Sequence, residues 1–169
     1  MIARLKGIIL EKKPPNLLID VNGIGYQVAA SMNTFFDLPC EGSEVILHIQ
    51  TIIREDAHSL FGFLVPKERE LFCQLIKVNG VGPKLALGIL SGISSDQFVQ
   101  CIQDQDTASL IKLPGIGKKT AERLIVEMQD KLKSWTQPMG EDGLIDRSVM
   151  ASHHASDDAV SHMYDSSAC

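Results

Sequence analysis

Two stretches of this chain carry glycines and lysines at a spacing that suits phosphate. Residues 113–119 read Leu-Pro-Gly-Ile-Gly-Lys-Lys, and residues 78–84 read Val-Asn-Gly-Val-Gly-Pro-Lys. They align at an offset of 35 residues, with the pattern apolar–x–Gly–apolar–Gly kept throughout. Glycine reaches positive φ and leaves the backbone bare, so an anion can approach the main chain. Pro83 suits the first position of a helix, and a second helical run begins at Lys118. A helix start leaves N–H groups without intrahelical acceptors, and its dipole favours negative charge there. The pattern assigns Asn79, Gly80, Gly82 and Lys84 to one phosphate seat, and Gly115, Gly117, Lys118, Lys119 and Arg123 to a second. The lysines and Arg123 are expected to add mobile positive charge, while Val81 and Ile116 point inward and anchor the turns. Two seats in tandem suit successive phosphates of a nucleic-acid backbone, contacts that carry no base information. A P-loop is excluded, because the G-x-x-x-x-G-K-[ST] spacing is absent and no strand precedes. A plain tight turn between packed helices would account for one copy. It leaves the matching basic residues of two copies unexplained.

The other residues placed for chemistry are Glu55 and Asp56, in the run Arg-Glu-Asp-Ala-His. They can be a solvated hairpin tip, metal-binding carboxylates of a nuclease, or negative charge that repels phosphate. The nuclease reading lacks a third acid or a histidine nearby in sequence. No catalytic residue, metal ligand or cofactor site is assigned. His48 and His58 are solitary, and His153, His154 and His162 lie in a polar tail. Phe61, Phe63 and Tyr26 could stack on bases, but their alternation with small or polar residues favours core packing. Cys40, Cys73, Cys101 and Cys169 are scattered without a C-x-x-C pair and read as thiols of a reducing compartment.

The elements that must position these residues follow from pattern. The 169 residues are 44% hydrophobic and 22% charged, the balance of an ordinary globular chain. No apolar run approaches the ~18–20 residues of a membrane span, and the first ten residues are too interrupted by charge for a signal peptide. The expected location is the cytoplasm. A net charge of −5 argues against a nucleic-acid partner until its distribution is considered. Residues 134–169 hold six acids against Arg147 alone, so residues 1–133 are neutral overall and can carry a local basic face.

Residues 1–64 read as about five short strands. Asn22-Gly23 marks a hairpin, and Val45, Leu47 and Ile49 share one face of an alternating strand. A small Greek-key barrel of the OB type and a small sandwich both fit. From residue 65 the period becomes helical, with Leu71, Phe72, Leu75 and Ile76 on one stripe. Ser94 with Gln97 forms a capping box, and Asp106 caps a short helix. Five helices are expected over residues 65–135. Residues 136–148 have the composition of a flexible linker. Residues 149–169 lack a sustained apolar stripe and are expected to be disordered.

A β-barrel, then tandem helix–hairpin–helix units, then an acidic linker: this order resembles the RuvA family. The resemblance rests on residues 75–92 (LIKVNGVGPKLALGILSG), residues 113–128 (LPGIGKKTAERLIVEM), residues 54–63 (REDAHSLFGF) and the opening MIARLKGIIL, and it covers residues 1–133. It implies an α+β multidomain protein, with an N-terminal OB-fold barrel (1–64) and an all-α tandem helix–hairpin–helix domain (65–135). It also implies a non-catalytic homotetramer that binds four-way junction DNA independently of sequence. The implied partners are the ATPase RuvB, which drives branch migration, and a RuvC-type resolvase. Glu55 and Asp56 match that family's acidic pin, which faces the strand crossover. The resemblance departs after the linker. Residues 156–160 (SDDAV) are similar to the start of a third, helical domain that contacts the ATPase, and the chain then stops. A truncated or frameshifted third domain is therefore expected over residues 149–169, with ATPase coupling weakened and residues 134–169 dispensable for junction binding. The alternative is a helix–hairpin–helix repair enzyme, a glycosylase or nuclease. Such a glycosylase carries a catalytic Asp just past a hairpin, and neither hairpin here has one.

Overall fold

A computed structural model describes residues 1–132. The linker and tail assigned to residues 136–148 and 149–169, with their three histidines, lie outside the described residues.

The alternation read in the sequence closes into a barrel. Strands β1 (Arg4–Lys13), β2 (Asn16–Val21), β3 (Ile24–Ala30), β4 (Glu44–Ile53) and β5 (His58–Phe63) run in the order β1-β2-β3-β5-β4. All neighbours are antiparallel except β3 and β5, which meet in a short parallel pairing of Ala29 with Phe61 and Ala30 with Gly62. Closure settles the choice between barrel and sandwich. The β2–β3 turn takes positive φ at both Asn22 (54°) and Gly23 (85°), the geometry an Asn-Gly hairpin requires. Val45, Leu47 and Ile49 all point inward, joining Ile9, Leu17, Ile19 and Val28 in the barrel core.

The helices are α2 (Pro66–Leu75), α3 (Pro83–Gly92), α4 (Ser95–Gln103), α5 (Thr107–Ile111) and α6 (Lys118–Leu132), the five that the period predicts. Ser94 and Gln97 form the reciprocal capping box, and the Asp106 side chain accepts from the Ser109 N–H. Leu71, Phe72 and Leu75 are buried; Ile76 is half-buried and caps the end of α2. Phe61 and Phe63 leave β5 to join the helical core, their rings 5.0 and 5.1 Å from that of Phe72. They are therefore packing residues. Tyr26 is half-buried against the barrel core. Cys73 and Cys101 are free, half-buried thiols.

One element was not expected. Between β3 and β4, residues Met32–Asp37 form a further helix, α1, capped by Ser31, whose side chain accepts from the Thr34 N–H. Six residues are too few to show a helical period, so the reading of residues 1–64 as strands and turns passed over it. Phe35 of α1 and Leu38 just beyond it pack into the barrel core. The polar side of the same helix meets α2 and α3. Ser31 donates to Glu68 at 2.7 Å, Thr34 donates to the other Glu68 oxygen at 3.2 Å, and Asn33 donates to the Leu90 carbonyl at 2.7 Å. The Met32 N–H donates to the Ser91 hydroxyl at 2.9 Å. Burial pushes the Glu68 carboxyl above its ordinary pKa; the two hydroxyl donors pull it back, and nearby Asp37 adds to the rise. Among the described residues no single helix is long and apolar enough to cross a membrane.

Candidate nucleic-acid interface

The two hairpins repeat bond for bond. In the first, the Val78 N–H donates to Leu75 O, Val81 N–H to Val78 O, and Ala86 N–H to Gly82 O. In the second, Leu113 N–H donates to Leu110 O, Ile116 N–H to Leu113 O, and Ala121 N–H to Gly117 O. Every donor and acceptor is displaced by the same 35 residues found in the sequence. The first glycine of each pair takes the left-handed backbone, Gly80 at φ 91° and Gly115 at φ 82°. Val81 and Ile116 are 4% and 5% exposed, so the apolar residue between the glycines anchors each turn as expected.

The second glycine does a different job. Gly82 is extended (φ −88°, ψ 171°) and stands at the N-cap of α3, where it offers no capping side chain. A Cβ built on Gly82 or Gly117 would meet nothing within 4 Å. Space stands open in front of both helix starts. The Lys84 and Leu85 N–H groups, and those of Lys119 and Thr120, find no acceptor among the described residues. Helices α1, α4 and α5 differ, because Ser31, Ser94 and Asp106 close their starts with side-chain oxygens. Lys84, Lys118 and Lys119 are exposed around the two open starts. Unsatisfied N–H groups, a helix dipole and adjacent lysines make each start a candidate anion seat.

The two glycine types predict opposite consequences on mutation. Gly80→Ala and Gly115→Ala force a Cβ into the left-handed region, and at Gly115 that Cβ also lies 3.0 Å from the Leu85 side chain. Each is expected to cost roughly 1–2 kcal/mol of stability. Gly82→Ala, in extended backbone and open space, should cost less, about 0.5–1 kcal/mol from the poorer helix cap alone. Denaturant unfolding of the three variants checks the contrast; equal losses at all three sites would contradict it.

Arg123 also makes a contact within the protein. Its Nη1 donates to the Asn79 carbonyl at 3.0 Å, and its side chain is half-buried. This guanidinium, on the helix after the second hairpin, braces the turn of the first. The position 35 residues earlier is Gly88, and a Cβ there would sit 4.0 Å from the carbonyl of Pro114, the residue equivalent to Asn79. Each hairpin's second helix thus faces the other hairpin's turn in the same way. The duplication in sequence becomes a paired arrangement, in which Arg123 bonds the second unit to the turn of the first.

Glu55 and Asp56 cap the β4–β5 ladder. That ladder pairs Ile53 with His58, and the Arg54 N–H donates to Ala57 O at 2.8 Å to close the tip. Both carboxylates are exposed. Among the described residues no group of three or more His, Cys, Asp or Glu side chains is placed to hold a metal ion. The tertiary structure adds a neighbour. Asp56 and Arg54 line a cleft of about 450 Å³ together with Phe61, Pro83 and Lys84. The acidic tip and the first anion seat therefore share one cleft. Arg54 was not singled out in the sequence; its position beside Glu55 was the available signal.

The same two parts are found in known proteins. Residues 1–62 match the family model described as the RuvA N terminal domain, and residues 72–130 match the SAM-like Helix-hairpin-helix tandem. The Holliday junction branch migration complex subunit RuvA of Vibrio parahaemolyticus is 52% identical over 166 residues, 95% of this chain and 81% of that protein. The protein of the same name from Pseudomonas paraeruginosa is 56% identical over 135 residues, 80% of this chain and 67% of its own length. That of Cellvibrio japonicus is 55% identical over 141 residues, 83% of this chain and 69% of its own length. With a closed barrel under the first match, a duplicated hairpin under the second, and this level of identity across most of both chains, the chain belongs to the RuvA family.

Proposed function

We propose that this chain binds four-way (Holliday) junction DNA without reading its sequence, as the RuvA subunit of a RuvA–RuvB branch-migration complex in homologous recombination and repair. The observation that carries the reading is the shared cleft, where an open helix start with its lysine stands beside an acidic hairpin tip. Backbone N–H groups and lysines take phosphates of the duplex arms. Glu55 and Asp56 repel phosphates that approach the centre, so continuous duplex is disfavoured and separated strands are guided apart. Affinity comes from the seats, and discrimination from the repulsion.

In this reading the protein acts as a homotetramer, which gathers four acidic tips at the crossover. It does no bond chemistry itself and needs no cofactor. RuvB supplies the ATP-driven motion, and a RuvC-type resolvase acts on the same junction. The site of action is the cytoplasm, where bacterial chromosomal DNA lies. The test is to incubate the purified protein with labelled four-way junction, duplex and single strand, with and without Mg²⁺. Preferential retention of intact junction is expected. Cleavage or base excision by the protein alone would establish the repair-enzyme alternative instead.

A further inference from the structure

The barrel carries the acidic tip and the helices carry the anion seats, so whatever fixes one against the other sets the geometry that junction DNA meets. Beside two bonds from α2 to β4, Cys73 to the Gln50 side chain at 3.1 Å and Arg69 to the Ile49 carbonyl at 3.4 Å, two seams join them. The first is apolar, with Phe61 and Phe63 of β5 against Phe72 of α2. Apolar contact is non-directional and tolerates small rotations. The second seam is polar and directional. Helix α1 is anchored to the barrel by Phe35, and its Ser31, Asn33 and Thr34 side chains bond across to α2 and α3. Asn33 reaches two carbonyls at the end of α3, Leu90 at 2.7 Å and Ile93 at 3.3 Å. Ser91 accepts from the Met32 N–H at 2.9 Å and itself donates to Leu87 O at 2.7 Å. Helix α3 is the one whose start forms the first anion seat, so the seam grips the far end of the rod that presents the seat.

We infer that Asn33, Ser91 and Glu68 are positioning residues for junction discrimination: Asn33 and Ser91 tie α1 to α3, Glu68 ties α1 to α2, and together they keep the open start of α3 beside the acidic tip. Hydrogen bonds suit this task because they fail steeply with misalignment. A loosened seam leaves each seat able to hold phosphate and each tip able to repel it, but no longer at a fixed separation. The inference rests on the junction-binding role proposed above.

The test compares the full-length chain with Asn33→Ala/Ser91→Ala and, separately, Glu68→Ala, measuring dissociation constants for junction and for duplex. The Asn33/Ser91 pair removes half-buried side chains, so it serves if Glu68→Ala fails to fold. A control, Asp20→Ala, removes the side-chain acceptor of the Gly23 N–H in the β2–β3 turn without touching the seam. The seam variants are expected to lose about tenfold in the ratio of junction to duplex affinity, with duplex affinity nearly unchanged and the control's ratio intact. In a Glu55→Gln/Asp56→Asn background the same seam substitutions should have no further effect on the ratio, because they act through the tip. A retained ratio in the folded seam variants, or an equal loss in both backgrounds, overturns the inference. A parent protein with no junction preference overturns the functional reading itself, and the inference with it.

Discussion

Gly117→Val is expected to weaken junction binding tenfold or more while the protein stays folded. Tenfold corresponds to about 1.4 kcal/mol, the size of one lost close contact. The argument is geometric. A side chain at Gly117 would meet nothing within 4 Å, and the residue is not in the left-handed region, so the fold accommodates valine. The cost to the start of α6 is that of a poor cap, ~1 kcal/mol, which shifts the melting temperature by only a few degrees. What valine does fill is the open space in front of the Lys119 and Thr120 N–H groups, where the proposed phosphate would sit. Gly82→Val should behave alike at the first seat. Lys119→Glu should also weaken binding, and removal of one phosphate-contacting lysine should lower the salt slope by ~1. If both Gly117→Val and Lys119→Glu bind a junction as tightly as the parent, the hairpins are packing elements only.

The second large effect concerns the acidic tip and runs the other way. Glu55→Gln/Asp56→Asn should raise affinity for continuous duplex several-fold and so reduce the preference for a junction. Because Asp56 lines the cleft that holds Lys84, neutralising it also leaves that lysine's field uncompensated toward DNA. The gain should be greatest at low ionic strength and shrink as salt rises, since exposed charges are screened beyond ~8 Å at physiological salt. Titration of labelled duplex and junction at two salt concentrations checks both statements. Weaker duplex binding after the change would refute repulsion as the role of these carboxylates and point to metal binding or folding.

Much of the candidate site was readable because its signals are local. Positive φ at Gly80 and Gly115, the buried Val81 and Ile116, the capping box at Ser94 and the cap at Asp106 each depend on residues within a few positions. The repeat at 35 residues is a comparison of the chain with itself, so it needs no structure to be seen. Strand alternation at Val45, Leu47 and Ile49 likewise reports one buried face directly.

What the residues by themselves determined is therefore the kind of parts: short alternating strands, short capped helices, and two glycine turns that leave helix starts bare. Three things were decided only by tertiary structure. Alternation specifies a buried face but not which strands meet, and the short β3–β5 pairing made the sheet a barrel. Folding placed the carbonyl of Asn79 within 3.0 Å of Arg123, 44 positions later, a contact no local pattern announces. Helix α1 was hidden because six residues show no period. Its partners Glu68, Leu90 and Ser91 lie 34 to 59 positions away, so their meeting is a property of the packed chain and not of any segment. Local rules set what each piece can do. The separation of acidic tip and anion seat depends on contacts between distant residues, and those exist only once both cores have closed.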